Sequence, residues 1–153
     1  MMKKILLLIL TVSFGLTACD KVENDANKQL ELDKDIIENY LAENDLTAQS
    51  TASGLYYIVD NQGDGVKPSL SSTVTVKYTG KFISGSVFEK PADAISFPLS
   101  NVIKGWQEGI PLFNQGGTGT LIIPSGLCYG PQGRSTIPPN SVLIFEIYLI
   151  SVK

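Results

Sequence analysis

The sequence predicts an α+β domain, a twisted antiparallel β-sheet wrapped on one short helix and preceded by an amphipathic helix. Three observations carry this. From Gly54 onward, short runs rich in Val, Ile, Tyr, Phe and Thr are separated by clusters of Gly, Pro, Asn and Asp, the pattern of several strands joined by turns. Between Leu30 and Asn44 the apolar residues recur instead at helical spacing. A hydrophobic content of 43% in 153 residues is enough to fill one core.

The first element is not part of that domain. Lys3 and Lys4 form a positive region, Ile5 to Phe14 an apolar stretch, and Gly15 and Ala18 are small residues near a cleavage point. That layout is a secretory signal. A spanning helix needs about 20 apolar residues, and this run is shorter. Leu16-Thr17-Ala18-Cys19 resembles a bacterial lipobox, in which the cysteine is lipidated and begins the mature chain. Two or more acyl chains anchor a protein stably. The alternative is an ordinary signal peptide followed by an unrelated cysteine. Residues 1–18 are therefore assigned to a lipoprotein signal, with Cys19 as the lipidation site, and the mature protein is expected outside the cytoplasm.

Residues 19–29 are polar, charged and without period, which predicts a flexible tether. In the 30–53 segment Leu32, Ile36, Ile37, Tyr40 and Leu41 form one narrow stripe, and Asp33 and Asp35 suit a first helical turn. That stripe can pack on the following domain or on a second copy, giving a dimer. Residues 54–153 make up the domain itself. Leu55 to Val59 reads as a strand closed by the turn cluster Asn61 to Gly65. Val74, Val76 and Tyr78 alternate with Thr73, Thr75, Lys77 and Thr79, a strand with one wet face. Ser84-Gly85 marks a hairpin tip, and Pro98 confines Phe97-Pro98-Leu99 to an edge. One short helix surrounds Trp106. Gly119 to Ile123 is a strand stopped by Pro124, and Ser141 to Val152 is the longest strand, apolar on both faces.

Charge and composition exclude several functions. The chain carries 12 basic and 15 acidic residues, and without Lys3 and Lys4 the balance is 10 to 15. An acidic surface without a basic cluster argues against nucleic acid, whose affinity comes largely from phosphate neutralisation. Histidine is absent, which removes Ser-His and Cys-His pairs and the commonest zinc ligand. No metal site or cofactor is expected. With Cys19 acylated, Cys128 is the one thiol left and has no cysteine partner.

A series of local patterns goes beyond a generic sheet: Val76-Lys77-Tyr78-Thr79-Gly80, Gly85-Ser86-Val87-Phe88, Phe97-Pro98-Leu99, Val102-Ile103-Lys104-Gly105-Trp106, Ile123-Pro124, Tyr129-Gly130, Ile137-Pro138-Pro139-Asn140-Ser141 and Leu143-Ile144-Phe145-Glu146. In this order they resemble the FKBP-type peptidyl-prolyl cis-trans isomerases, over about the last two-thirds of the chain. The resemblance implies an FKBP-like half-barrel and an enzyme that turns X-Pro bonds in unfolded or exported polypeptides. It makes Trp106 the floor of a proline pocket and Tyr78, Phe88 and Phe145 its walls. The Ile103 backbone N–H and the Tyr129 hydroxyl become donors to the bound peptide. Val102 and Ile137 line the rim. Three of the residues expected in the site, Glu89 in the catalytic set and Ile95 and Cys128 among the substrate contacts, depart from the family pattern. Glu89 stands where Asp is usual, Ile95 stands at an aromatic position of the pocket edge, and Cys128 occupies a usually small position before Tyr129. Cys128 is read as a buried small hydrophobe or, alternatively, as an exposed thiol open to modification. The competing reading of the same fold is a chaperone or partner-binding module that holds such segments without turning them over.

Overall fold

The structure is a computed structural model that describes the backbone of residues 17–153 and the side chains of residues 24–153. The signal segment up to Leu16 and the side chain of Cys19 lie outside the described residues. Helix α1 spans Thr17–Glu43, so it runs through residues 19–29 where the sequence predicts a tether. No glycine or proline lies between Leu16 and Ser53. Once packing nucleates the C-terminal half, each further residue adds one hydrogen bond at low cost, and the polar stretch joins the helix. The helix closes in a Schellman turn, with Asp45 at φ 52° and hydrogen bonds from Leu46 N–H to Leu41 O and from Asp45 N–H to Ala42 O.

Seven strands follow: β1 (Gln49–Ser50), β2 (Tyr56–Asn61), β3 (Thr73–Phe82), β4 (Val87–Glu89), β5 (Ile95–Pro98), β6 (Thr118–Ile123) and β7 (Leu143–Val152). Helix α2 (Lys104–Gly109) lies between β5 and β6. The strands form one antiparallel sheet in the order β1-β2-β6-β7-β3-β4, with β5 also on β3. This is the fold class that the sequence predicts. Pro98 sits on β5, an edge strand, opposite Thr73. The hairpin tip is at Gly85, which adopts φ 83°.

The outer edge of β3 is shared. β5 pairs with Thr73 to Val76, and β4 pairs with Gly80 and Lys81. Tyr78 falls in the gap between them, where the chain leaves the sheet after Glu89 and returns at Ile95. A mouth is thereby built into the sheet edge.

Two apolar layers hold the fold. The larger lies between the concave face of the sheet and α2, with Val74, Val76, Trp106, Phe113, Leu121, Leu143, Phe145 and Leu149 buried. Gly105 lets α2 approach β6, since a Cβ there would stand 2.3 Å from a methyl of Ile123. The smaller layer packs Ile37 and Leu41 of α1 on Ile122, Val142 and Ile144 of the opposite face. The buried line on α1 is Asp33, Ile37 and Leu41, while Leu32 and Ile36 are 49% and 40% exposed. The helix therefore packs on its own sheet, along a stripe rotated from the expected one. Asp33 belongs to that stripe rather than to a first turn. β7 is covered on both faces only near its start, because Glu146 and Tyr148 are exposed.

Candidate active site

The concave face of the sheet, α2 and the loops after β6 enclose a cavity of about 420 Å³. Trp106 is its centre, 5% exposed, presented by the first turns of α2. The Tyr78 ring meets it edge-on at 4.8 Å and 90°, Phe145 at 5.2 Å and 83°, and Phe97 lies tilted at 5.4 Å. Edge-to-face contact of this kind fixes ring orientation beyond simple burial. Phe88 stands edge-on to Phe145 at 5.8 Å. Its approach depends on Gly80, where a Cβ would lie 2.6 Å from Phe88 Cζ. The aromatic cup is thus set by strand period and one missing side chain.

Ten of the eleven pocket residues expected from the sequence line this cavity: Tyr78, Phe88, Glu89, Ile95, Val102, Ile103, Trp106, Tyr129, Ile137 and Phe145. Ile103 is the residue preceding α2, so its N–H lies outside the helix's own hydrogen bonds while its carbonyl accepts from Trp106 and Gln107. The Gln107 side chain donates to the carbonyls of Ser100 and Val102, which pins the rim segment.

Cys128 is the exception. Its Sγ is 3.9 Å from the carbonyl of Ile123, and the residue does not line the cavity. Burial and then the negative charge of Asp33 push its thiol well above the ordinary range. It is a half-buried residue whose thiol is held in the protonated form, not an activated thiolate. The physical reason is the tight turn Ser125–Leu127, which swings Tyr129 toward the cup and its neighbour away from it.

Five further lining residues were not among those expected: Phe97, Asn101, Arg134, Ser135 and Thr136. Phe97 was visible as a motif without a role. The others arrive through a small hairpin in which Arg134 and Ile137 exchange backbone hydrogen bonds around Ser135 at φ 52°. No local sequence signal points to it. The Arg134 guanidinium lies 5.6 Å from the centre of the Tyr129 ring. Arginine only donates, so the Tyr129 O–H proton remains free for an acceptor in the cavity.

Burial and the facing Glu89 carboxylate raise the Tyr78 hydroxyl above its ordinary value, and burial raises Tyr129 against an opposing pull from Arg134. Outside the cup, burial and the Glu38 carboxylate, which accepts from its hydroxyl at 2.9 Å, push Tyr56 up to about 12. A raised tyrosine favours the neutral form in the fold. Its contribution to stability is complete below the ordinary value of 10.0 and is lost as pH rises through about 12. A tyrosinate absorbance titration is expected to show late ionisation of three tyrosines, with loss of urea resistance between pH 10 and 12. Tyr56→Phe is expected to lessen that loss. Equal titration of all tyrosines at the ordinary value would contradict this picture.

The Trp106 indole Nε1 is a buried donor with no partner among the described residues. A larger hollow of about 640 Å³ lies between α1 and the loops around Pro124 and Pro131. It has no aromatic lining, and its Asp33 and Ser125 are bonded to each other. The cup is the better candidate on chemistry: rigid rings, a free hydroxyl and a backbone donor around one buried indole.

A sequence profile described as FKBP-type peptidyl-prolyl cis-trans isomerase matches residues 65–150. The chain belongs to this family. It is 43% identical over 108 residues to a probable FKBP-type isomerase, FkpA, of Neisseria meningitidis serogroup B, covering 68% of this chain and 40% of that protein. It is 47% identical over 105 residues to the outer membrane protein MIP of Legionella longbeachae, covering 66% of this chain and 45% of that one. Among solved structures, FkpA from Escherichia coli superposes with a TM-score of 0.74 at 37% identity, over 89% of this chain and 64% of that one. The chain spans about half the length of the curated relatives it matches, or less.

Proposed function

We propose that this chain is a peptidyl-prolyl cis-trans isomerase that acts on exported polypeptides from a lipid anchor at Cys19. The observation that carries the catalytic part is the aromatic cup over Trp106, with one free hydroxyl and one free backbone donor at its rim.

The chemistry suits a site with few reactive groups. Rotation about a peptide bond faces a barrier of about 18–20 kcal/mol, set by its double-bond character. X-Pro bonds interconvert over tens to hundreds of seconds unaided. No covalent bond is made or broken, so no nucleophile, metal or proton relay is needed. Water stabilises the polar planar amide, and a dry cup favours the twisted, less polar one. Trp106 supports the proline ring from below, with Tyr78, Phe88 and Phe145 as walls and Val102, Ile95 and Ile137 at the rim. The Ile103 N–H and the Tyr129 hydroxyl hold the flanking carbonyls, which orients the peptide around the rotating bond. Glu89 faces Tyr78 at the edge and adds negative charge there. Each tenfold in rate requires about 1.4 kcal/mol of preference for the twisted state over both planar ones.

Export and anchoring are supported by the signal layout and lipobox pattern, and by a relative named as an outer membrane protein. No helix of the described residues is long and apolar enough to cross a membrane. The test uses the chain from residue 19 with an X-Pro peptide in large excess. Acceleration of cis-to-trans conversion at substoichiometric protein is the expected result. A folded chain that binds the peptide without accelerating it would replace the enzyme with a holding module. Replacing Cys19 with serine in the expressed precursor is expected to move the protein from the membrane to the soluble fraction.

A further inference from the structure

We infer that helix α1 is part of the support of the active site, with Asp33 as a positioning residue for the loop that bears Tyr129; the inference rests on the isomerase reading above. Asp33 is 0% exposed in the middle of α1. A buried carboxylate is tolerated only when its oxygens are satisfied, and here they are. Its Oδ2 accepts from the Ser125 backbone N–H at 2.7 Å and from Ser125 Oγ at 2.6 Å, and its Oδ1 accepts from Gln29 Nε2 at 2.8 Å. Among the described residues Asp33 forms no ion pair. Its partner is a serine 92 positions away in the chain, itself 1% exposed.

Ser125 starts the turn that leads to Tyr129. Its carbonyl accepts the Cys128 N–H at 3.0 Å, and the carbonyl of Pro124 accepts the Leu127 N–H at 3.0 Å. Between the carboxylate and Tyr129 there are therefore few free torsions. On the other side, the Gly130 carbonyl accepts the Asn140 N–H at 2.9 Å. Tyr129 is held between these two anchors, and one of them belongs to α1.

A second tie is independent of the first. Ser53, in the connector after α1, donates to the Glu108 carboxylate at 2.8 Å. Glu108 lies on α2, two residues after Trp106. The N-terminal segment thus grips both elements that carry the cup, the Tyr129 loop through Asp33 and the Trp106 helix through Ser53.

The chain supplies its own reporters. Trp106 is its one tryptophan, and with Cys19→Ser the one thiol is Cys128. The experiment compares the chain from residue 19, carrying Cys19→Ser, with and without Asp33→Ala, Asp33→Asn and Ser125→Ala. Peptide affinity is read from Trp106 fluorescence, turnover from X-Pro isomerisation, and loop position from the rate of Cys128 labelling by an aromatic disulfide. Asp33→Ala is expected to lower kcat/KM about tenfold, equivalent to about 1.4 kcal/mol, and to speed Cys128 labelling severalfold, while peptide affinity changes little because the rings of the cup remain. Asp33→Asn keeps an oxygen in reach of both Ser125 donors and is expected to restore most of the rate. Ser125→Ala keeps the backbone bond and is expected to fall between. It carries the test if Asp33→Ala does not fold.

Wild-type turnover and wild-type Cys128 labelling in a folded Asp33→Ala or Ser125→Ala variant would overturn the inference. So would a fall in rate and affinity by the same factor, which a loss of folded protein produces. If the parent chain itself does not isomerise the peptide, the isomerase reading fails; Cys128 labelling still reports whether Asp33 sets the loop.

Discussion

Trp106→Ala is expected to lower isomerisation by at least about a hundredfold, which corresponds to about 2.7 kcal/mol. The indole is both the floor of the cup and the contact surface for Tyr78, Phe145 and Phe97, all within 5.4 Å between ring centres. Its removal leaves the walls without a common support and admits water beneath the amide. Losing so large a buried side chain also destabilises the fold, by about 3–5 kcal/mol. The rate must therefore be measured per folded molecule, with urea unfolding in parallel. Trp106→Phe separates the two effects. Because Nε1 has no described partner, phenylalanine breaks no hydrogen bond. It changes only the area and shape of the floor, so a loss below about tenfold is expected. A folded Trp106→Ala variant with the parent rate would place catalysis elsewhere.

The cup was legible through the family resemblance, and the motifs that carry it fall where local rules place them. Tyr78 and Gly80 share one face of β3 by the two-residue period, and Phe145 follows the same rule on β7. Pro98 announced the edge strand. Trp106 stood in a short helix between glycines. The rest depended on partners distant in sequence. Asp33 looks like a surface acid in a helix, since nothing near it reveals that Ser125 will supply two donors. Leu32 and Ile36 hold helical spacing yet remain exposed, because the line that meets Ile122 and Ile144 on the sheet is that of Ile37 and Leu41. The helix grew through residues 19–29 because packing further along had already met the nucleation cost. Cys128 adjoins a pocket residue in sequence and faces away from it in space, a consequence of one turn that spacing alone does not encode.

Truncation before Gly54 is expected to cost on the order of 5 kcal/mol. Ile122, Val142 and Ile144 are 0%, 5% and 2% exposed, and Ile37 and Leu41 of α1 are what cover them in the smaller layer. Burial of each such side chain is worth about 1.5–3 kcal/mol, and strand neighbours retain part of it. Ser125 would also lose the acceptor for its N–H and hydroxyl, and Glu108 its tie to Ser53. Small domains are stable by only about 5–15 kcal/mol, so the shortened domain is left close to its limit, with an apolar sheet face open to association. Urea unfolding and sedimentation of residues 54–153 against residues 19–153 provide the comparison. A lower midpoint, or association that vanishes when α1 is restored, is the expected result. An equal midpoint with a monomeric domain would mean that the sheet face is satisfied without α1, and that the isomerase unit begins at Gly54.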